Sequence, residues 1–301
     1  MKSSINSVGF VIVAFRNADS DLSELARTLL AAAQDCAFEA KIYLVANDEI
    51  GVGSSSNLEV IQGHGNVGFA AGVKLGALNS SEDYLVFVNP DCAPNRAEFR
   101  SFLTEVRPGR GILQPILRTD AGEFDYMPYE NWTFTVGRQW SAWRCRKHLY
   151  SDQARKLPAY AKVSGAFLGM EREVALRLDS PFDSAFFLYA EDRDLTDRAR
   201  AAGIPIVLLG GCSITHIGGE SGKTVSELVE RAKSDGSFRV AYRRYGRLGA
   251  LLYYADQSLT DRAKILLRRS AAASAHQWTA KRWRSAGFRD PGPVTAEVLT
   301  Q

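Results

Sequence analysis

Three sets of side chains in this 301-residue chain have the types and settings that chemistry needs. Asn89-Pro90-Asp91 follows the apolar run Tyr84–Val88, which puts Asp91 at a strand tip. A carboxylate there is a natural ligand for a divalent cation that bridges to phosphates. An ordinary Asx-Pro turn leading into the next helix explains the same tripeptide. Glu191-Asp192-Arg193-Asp194 opens a helix, where acids are common stabilisers of the positive dipole end. The apolar run Phe186-Phe187-Leu188-Tyr189 leads straight into that pair and holds it at the mouth of a pocket. A carboxylate so placed can take a proton from a hydroxyl. His216 ends a short strand, as a structural residue or as a metal ligand. The following Gly218-Gly219-Glu220-Ser221-Gly222 has the composition of a lid, and Lys223 is able to reach a phosphate or to face water.

A further segment, Asn66-Val67-Gly68-Phe69-Ala70-Ala71-Gly72, puts small residues at a helix start. Backbone N–H groups there can approach a phosphate closely, and tight helix–sheet packing demands the same residues. Gly63-x-Gly65-x-x-Gly68 matches the dinucleotide-binding spacing. That fingerprint belongs in the first strand–turn–helix, which here reads Ala14-Phe15-Arg16-Asn17 and holds no glycine. A dehydrogenase is therefore disfavoured.

The elements that must position these groups alternate. Strands are expected at Val8–Phe15, Lys41–Ala46, Leu58–Ile61, Tyr84–Val88 and Ile112–Leu117. Helices are expected at Leu22–Ala33, with Asp21 as N-cap, at Val67–Leu78 and at Asn95–Val106. This alternation argues for a largely parallel sheet covered on both faces, with ligands at the carboxyl ends of the strands. The loops after Phe15, Ala46 and Val88 should then lie near one another. Residues 122–160 read as aromatic and irregular. A strand at Val163–Met170, a helix at Glu191–Ala202 and a strand at Pro205–Leu209 follow. Residues 225–284 read as mostly helical and basic, and the stretch from Pro291 as a frayed end.

Composition is that of a globular protein, 46% apolar and 24% charged. No apolar run approaches the ~18 residues of a spanning helix. Val8–Phe15 has no small-residue cleavage site after it, so it reads as a buried strand rather than a signal-peptide core. Cys36, Cys92, Cys145 and Cys212 have neither CxxC nor metal spacing, which fits reduced thiols in the cytosol. Charge is unevenly spread. From Arg231 onward there are 14 Lys and Arg against 5 Asp and Glu, and before it 23 against 29. A basic tail on a slightly acidic body points to an anionic partner.

The order of these segments resembles the family 2 glycosyltransferases, in particular the bacterial rhamnosyltransferase-like branch. The matching pieces are Val11-Ile12-Val13-Ala14-Phe15-Arg16-Asn17, Asn66 to Gly72, Val88-Asn89-Pro90-Asp91 and Val163-Ser164-Gly165-Ala166, then Phe182-Asp183, Phe186 to Leu195 and Ile214-Thr215-His216. They cover about residues 8–220. The resemblance implies a GT-A fold, an α/β Rossmann-like mixed sheet with helices on both faces, in residues 1–222. A basic, mainly helical C-terminal extension would occupy residues 223–301. It also implies a nucleoside-diphosphate-sugar donor and Mg²⁺ or Mn²⁺, with Asp91 and His216 as metal ligands. Asp192 would be the general base and Glu191 its support or the acceptor's. Ala14, Phe15, Asn17, Asn47, Asn66, Gly68, Phe69, Asn89, Gly165 and Ala166 would line the donor site. The family's usual Asp-Asn after the second strand is here Val45-Ala46-Asn47-Asp48. Either Asn47 or Asp48 takes over the base contact, or the nucleotide is neither uridine nor thymidine diphosphate.

The function so implied is an inverting, metal-dependent sugar transfer, with rhamnose a candidate, to a saccharide or lipid-linked saccharide in bacterial surface polysaccharide synthesis. A sugar nucleotidyltransferase would need a glycine- and basic-rich first loop, which is missing. The rival from another class is a non-catalytic nucleotide-sugar-binding or membrane-associated scaffold of the same fold. In the tail, Arg243, Arg244, Arg247, Lys264, Arg268, Arg269, Lys281, Arg282 and Arg284 alternate with Leu, Tyr and Trp. They suit either an anionic inner leaflet or a solvated appendage and oligomer contact, and no nucleic-acid module is recognisable. The expected location is cytoplasmic or peripheral on the inner face of the membrane. Trp132, Trp140 and Trp143 read as core residues or as platforms for acceptor rings.

Overall fold

The computed structural model describes residues 4–126, 129–217, 226–267 and 273–300. β1 (Ser7–Ala14), β2 (Glu39–Ala46), β3 (Leu58–Ile61) and β4 (Tyr84–Val88) run parallel. α1 (Asp19–Asp35) joins β1 to β2, and α2 (Phe69–Asn79) joins β3 to β4. α3 (Arg96–Leu103) leads to β5 (Ile112–Arg118), followed by α4 (Thr135–His148), β6 (Arg155–Lys156) and β7 (Phe167–Glu171). α5 (Arg172–Arg177), α6 (Glu191–Ala201) and β8 (Ile206–Thr215) come next. The sheet order is β3-β2-β1-β4-β7-β5-β8-β6. β7 lies antiparallel between β4 and β5, and β6 runs antiparallel to β8, so the sheet is mixed. β4 is buried along its whole length, as a strand covered on both faces must be. A Cβ on Gly72 or Gly76 would come 2.8 Å from Val13 or 2.4 Å from Val11, so the small residues of α2 let it lie directly on β1.

Several sequence expectations shift. The cap of α1 is Ala18, with no side-chain bond, so Asp21 is an ordinary first-turn acid rather than the cap. Asn95 does cap α3, accepting from the Ala97 and Glu98 amides. The stretch read as irregular contains α4. Val136, Trp140 and Trp143 face outward and only Ser141 and Cys145 are buried, so the usual apolar-inside period is missing. The strand expected from Val163 pairs only from Phe167 onward. The segment ending at His216 is no separate strand but the end of β8, which is continuous past a register shift opposite Pro115/Ile116.

α7 (Ser226–Leu266), α8 (Ala273–Ser285) and α9 (Ala296–Thr300) form the C-terminal part, and α7 breaks at Gly246 (φ 64°, ψ −155°). Some of its arginines face its own acids, and Arg243 and Arg244 reach acids of the preceding part. Buried Arg239 bonds Asp235, Asp290 and the Gly292 carbonyl, and Arg282 bonds Asp235 and the same carbonyl. Val294 and Leu299 are buried, so the stretch from Pro291 is packed rather than frayed. All four cysteines are free. No described helix is long and apolar enough to cross a membrane. The glycine-rich run 218–222, Lys223, Arg268, Arg269 and the expected boundary at 222/223 lie outside the described residues.

Candidate active site at the carboxyl edge of the sheet

Backbone pairing brings Asp91 and His216 together. The Cys92 amide closes the turn onto the Asn89 carbonyl at 3.0 Å, and the Asn89 amide donates to Ala166 at 2.8 Å. Cys92 and His216 form an isolated antiparallel bridge, and the Ile217 amide donates to the Asp91 carbonyl at 3.0 Å. His216 Nε2 therefore stands 3.1 Å from Asp91 Oδ1. The approach lacks hydrogen-bond geometry, so apart from this ion pair both imidazole nitrogens and Asp91 Oδ1 are buried without a hydrogen bond. Burial pulls the His216 pKa down, but the adjacent Asp91 carboxylate outweighs it and the net shift is upward. One carboxylate oxygen and one imidazole nitrogen, convergent and otherwise unpartnered, fit a divalent cation. Among the described residues no cluster of three or more His, Cys, Asp or Glu forms, so further ligands would have to be phosphate oxygens and water.

The carboxylate pair is positioned differently. Tyr189 (φ 68°) and Ala190 (φ 72°) are consecutive non-glycine residues in the left-handed region, just before α6. Such conformations cost of order 1–3 kcal/mol each and persist only where the surroundings over-determine them. The surroundings here are backbone contacts on two sides. The Phe187 carbonyl accepts from the Phe69 amide at 2.7 Å. A Cβ on Gly236 of α7 would come 2.6 Å from the Tyr189 carbonyl. The bend turns Glu191 into the protein. Burial, then the neighbouring Asp192 charge, pushes its carboxyl up to about 8, and its Oε2 has no partner. Asp192 makes a close ion pair with buried Lys162 and accepts from the Arg193 amide at 2.8 Å. Asp194 and Asp183 are both held at 2.6 Å by Arg243 of α7. Arg244 of α7 grips Asp197 of α6 and Asn131. Lys162 was not anticipated from sequence. Its only signal is a lone cation between Ala161 and Val163, in a run that is otherwise apolar or small.

The expected donor residues gather at the ends of β1 and β2 and the start of α2. The Asn47 amide donates to the Ala14 carbonyl at 2.9 Å, and the Phe15 amide to Asn17 Oδ1 at 3.0 Å. Asn47 Nδ2 bonds the Gly68 carbonyl at 3.1 Å, and Asn66 Oδ1 accepts from the Gly68 amide at 3.0 Å. Gly68 has φ 84°, and a Cβ there would sit 2.4 Å from the Phe187 carbonyl. The Phe69 amide is thus committed to the protein, and packing accounts for the small residues of this helix start. Asn89 and Ala166 are joined as above, and a Cβ on Gly165 would lie 3.5 Å from Glu191 Oε1 and 3.3 Å from the Phe69 ring. Arg16 (φ 59°) donates its amide to Asp48 Oδ2 at 2.7 Å. The Oδ1 atoms of Asn47, Asp48 and Asn89 are buried with no partner. Acceptors therefore stand one and two residues beyond Ala46, where the base contact was expected.

The three tryptophans of residues 122–160 are not core. Trp132, Trp140 and Trp143 are 44–49% exposed. Two open cavities lie elsewhere: one of about 640 Å³ between α7 and α8, and a groove of about 1200 Å³ along α1 and residues 51–58. Neither is lined by Asp91, Glu191, Asp192 or His216.

No family model and no curated protein matches the sequence. Solved structures match its fold. GalNAc-T7, solved with UDP, GalNAc and Mn²⁺, superimposes with a TM-score of 0.55 at 14% identity, over 93% of this chain and 58% of that one. The chain thus spans little more than half of that protein. A mannosyltransferase from Pyrobaculum calidifontis, solved with GDP-Man and Mn²⁺, gives 0.49 at 12% identity over 97% and 84% of the two chains. At such identity the first match is a statement about architecture, and with the mixed sheet it defines the fold as GT-A with a C-terminal helical part.

Proposed function

We propose that the chain is an inverting, metal-dependent glycosyltransferase that uses a nucleoside-diphosphate sugar. The observation that carries this reading is the set of buried polar atoms without hydrogen bonds at the carboxyl ends of the strands and the start of α6: Asn47 and Asp48 Oδ1, Asn89 and Asp91 Oδ1, Glu191 Oε2 and both His216 nitrogens. Unmet polar atoms are costly unless a ligand satisfies them. Asp91 and His216 would hold Mg²⁺ or Mn²⁺, which supplies positive charge for the departing diphosphate. Asn47 or Asp48 would accept from the base, while Asn89, Gly165 and Ala166 border the sugar.

Asp192 accepts the acceptor hydroxyl proton as that oxygen bonds to the anomeric carbon. The bond from that carbon to the phosphate oxygen breaks with its electron pair on the diphosphate, and one displacement inverts the centre. Lys162, in its ion pair with Asp192, holds that carboxylate in place, and the proton then passes to solvent. Glu191, carrying its proton near neutrality, donates a hydrogen bond to the incoming sugar. A saccharide or lipid-linked saccharide of a bacterial surface polysaccharide is the acceptor class the motifs favour, and rhamnose a donor candidate. Residues 1–222 would do this chemistry and residues 223–301 brace it.

The Lys162–Asp192 pair also favours one rival, a nucleotide-sugar-binding scaffold in which Asp192 is permanently neutralised. Thermal-shift titration with UDP-, dTDP- and GDP-sugars, with and without Mn²⁺, followed by NMR of the product anomer, separates these readings. Mn²⁺-dependent stabilisation and an inverted product are expected. Stabilisation without turnover for any acceptor would favour the scaffold, and no stabilisation by any donor removes both.

A further inference from the structure

α7 changes character at Gly246. Before the break, Arg239, Arg243 and Arg244 point into the protein. After it, Ala250, Tyr253 and Gln257 are buried, and the opposite face carries Leu248, Leu252, Leu259 and Leu266, 49–84% exposed. The spacing of 4, 7 and 7 residues keeps them on one helix face, about 27 Å long at ~1.5 Å per residue. Both acids of this half are turned inward. Asp256 accepts from the Thr135 amide at 3.0 Å, and Asp261 pairs with His276 at 2.6 Å. The exposed charges beside the leucines are Arg247 and Arg262.

A second helix extends this surface. Val136, Trp140 and Trp143 share the outer face of α4 at spacings of 4 and 3. α4 contains no Asp or Glu. The Arg144 guanidinium lies 5.6 Å over Trp140 and Lys147 Nζ lies 5.3 Å over Trp143. The two helices meet where Phe134 stacks on Tyr245 at 5.9 Å, beside the Thr135–Asp256 bond. Apolar patches of this extent on a soluble surface mark interaction sites.

We propose that this joint face of α4 and the second half of α7 lies in the surface of an anionic lipid bilayer. Leucine and tryptophan would enter the acyl–headgroup boundary, with arginine and lysine at the phosphates. The chemistry favours lipid over a second copy of the chain. A two-fold contact would oppose Arg247 and Arg262 to their own copies, with both acids of the segment already engaged inside each chain. No described helix has the apolar length to cross the bilayer, so the contact is interfacial. The attachment does not use Arg243, Arg244 or Arg282, which the basic composition of the tail had suggested. It also does not rest on the transferase reading.

The test is co-sedimentation with phosphatidylglycerol–phosphatidylcholine vesicles and with phosphatidylcholine alone, using the full chain, corrected for pelleting without lipid. Wild type should bind the anionic vesicles preferentially, and less at high salt. Leu252→Glu with Leu259→Glu, and separately Trp140→Ala with Trp143→Ala, should each weaken partitioning at least about tenfold. Both pairs are exposed, so an unchanged Tm should accompany the loss. Absence of wild-type binding, or equal binding by the leucine pair, overturns the proposal. So does a wild-type dimer in light scattering that the leucine pair dissociates, which would assign the face to a second copy. Donor thermal shifts, read separately, stay unaffected in every case.

Discussion

The two halves of the candidate site are built by opposite means. At the end of β4, Asp91 and His216 are placed by main-chain hydrogen bonds, and their side chains face only each other, without a hydrogen bond. At the start of α6, the main chain is strained at Tyr189 and Ala190, and side-chain ion pairs fix the carboxylates. The first arrangement keeps ligand atoms available to something that comes and goes. The second sets charge states in advance, with Asp192 against an ammonium and Glu191 holding its proton. Binding and proton transfer should therefore respond to different substitutions.

The widest separation should come from Asp192→Asn against Asp91→Ala. The former is expected to cut transfer by about 10²–10⁴ while the Mn²⁺-dependent donor shift survives. The latter should abolish that shift, so if both variants lose donor binding alike, the division between the halves fails. Next in size is Lys162→Met, which strands a largely buried carboxylate. Chemical denaturation should register about 3 kcal/mol of lost stability, and adding Asp192→Asn should restore part of it. An additive double mutant would show that the pair is not coupled. Gly68→Ala bears on the loop before α6, since it needs a Cβ at φ 84° against the Phe187 carbonyl. A loss of about 2 kcal/mol in the same assay is expected, and an unchanged midpoint would mean that the loop before α6 gives way freely.

The smallest effect is in pH dependence. The Glu191 pKa is raised from 4.5 to about 8 in the folded chain. Its contribution to stability is then fully present below its unfolded value and lost as pH rises toward 8. Glu191→Gln should flatten the fall of Tm between about pH 5 and 8. Parallel curves for wild type and variant would place the proton elsewhere.

Much of this was legible in the residues. β1, β4 and most of β2 are apolar runs, so their positions and the gathering of their following loops could be read directly. Asp91 and His216 stood out by type and by place at strand ends. Lys162 did not, because a single lysine says nothing about which acid will face it 30 residues on. α4 was hidden by its inverted pattern, with tryptophans outside and a serine and a cysteine inside. The tail's charge was read correctly in amount but not in direction. Arg243 and Arg244 face acids 47–60 residues away, a pairing that no local pattern encodes.

Gly246 stands three residues after Arg243, which clamps the acidic helix, and two before Leu248, which begins the outward row. A single pair of torsion angles thus sets the tilt of the candidate site relative to the row of leucines. A side chain that forces this glycine back to ordinary helical angles would swing that row around the body and leave the candidate site facing a new direction relative to it.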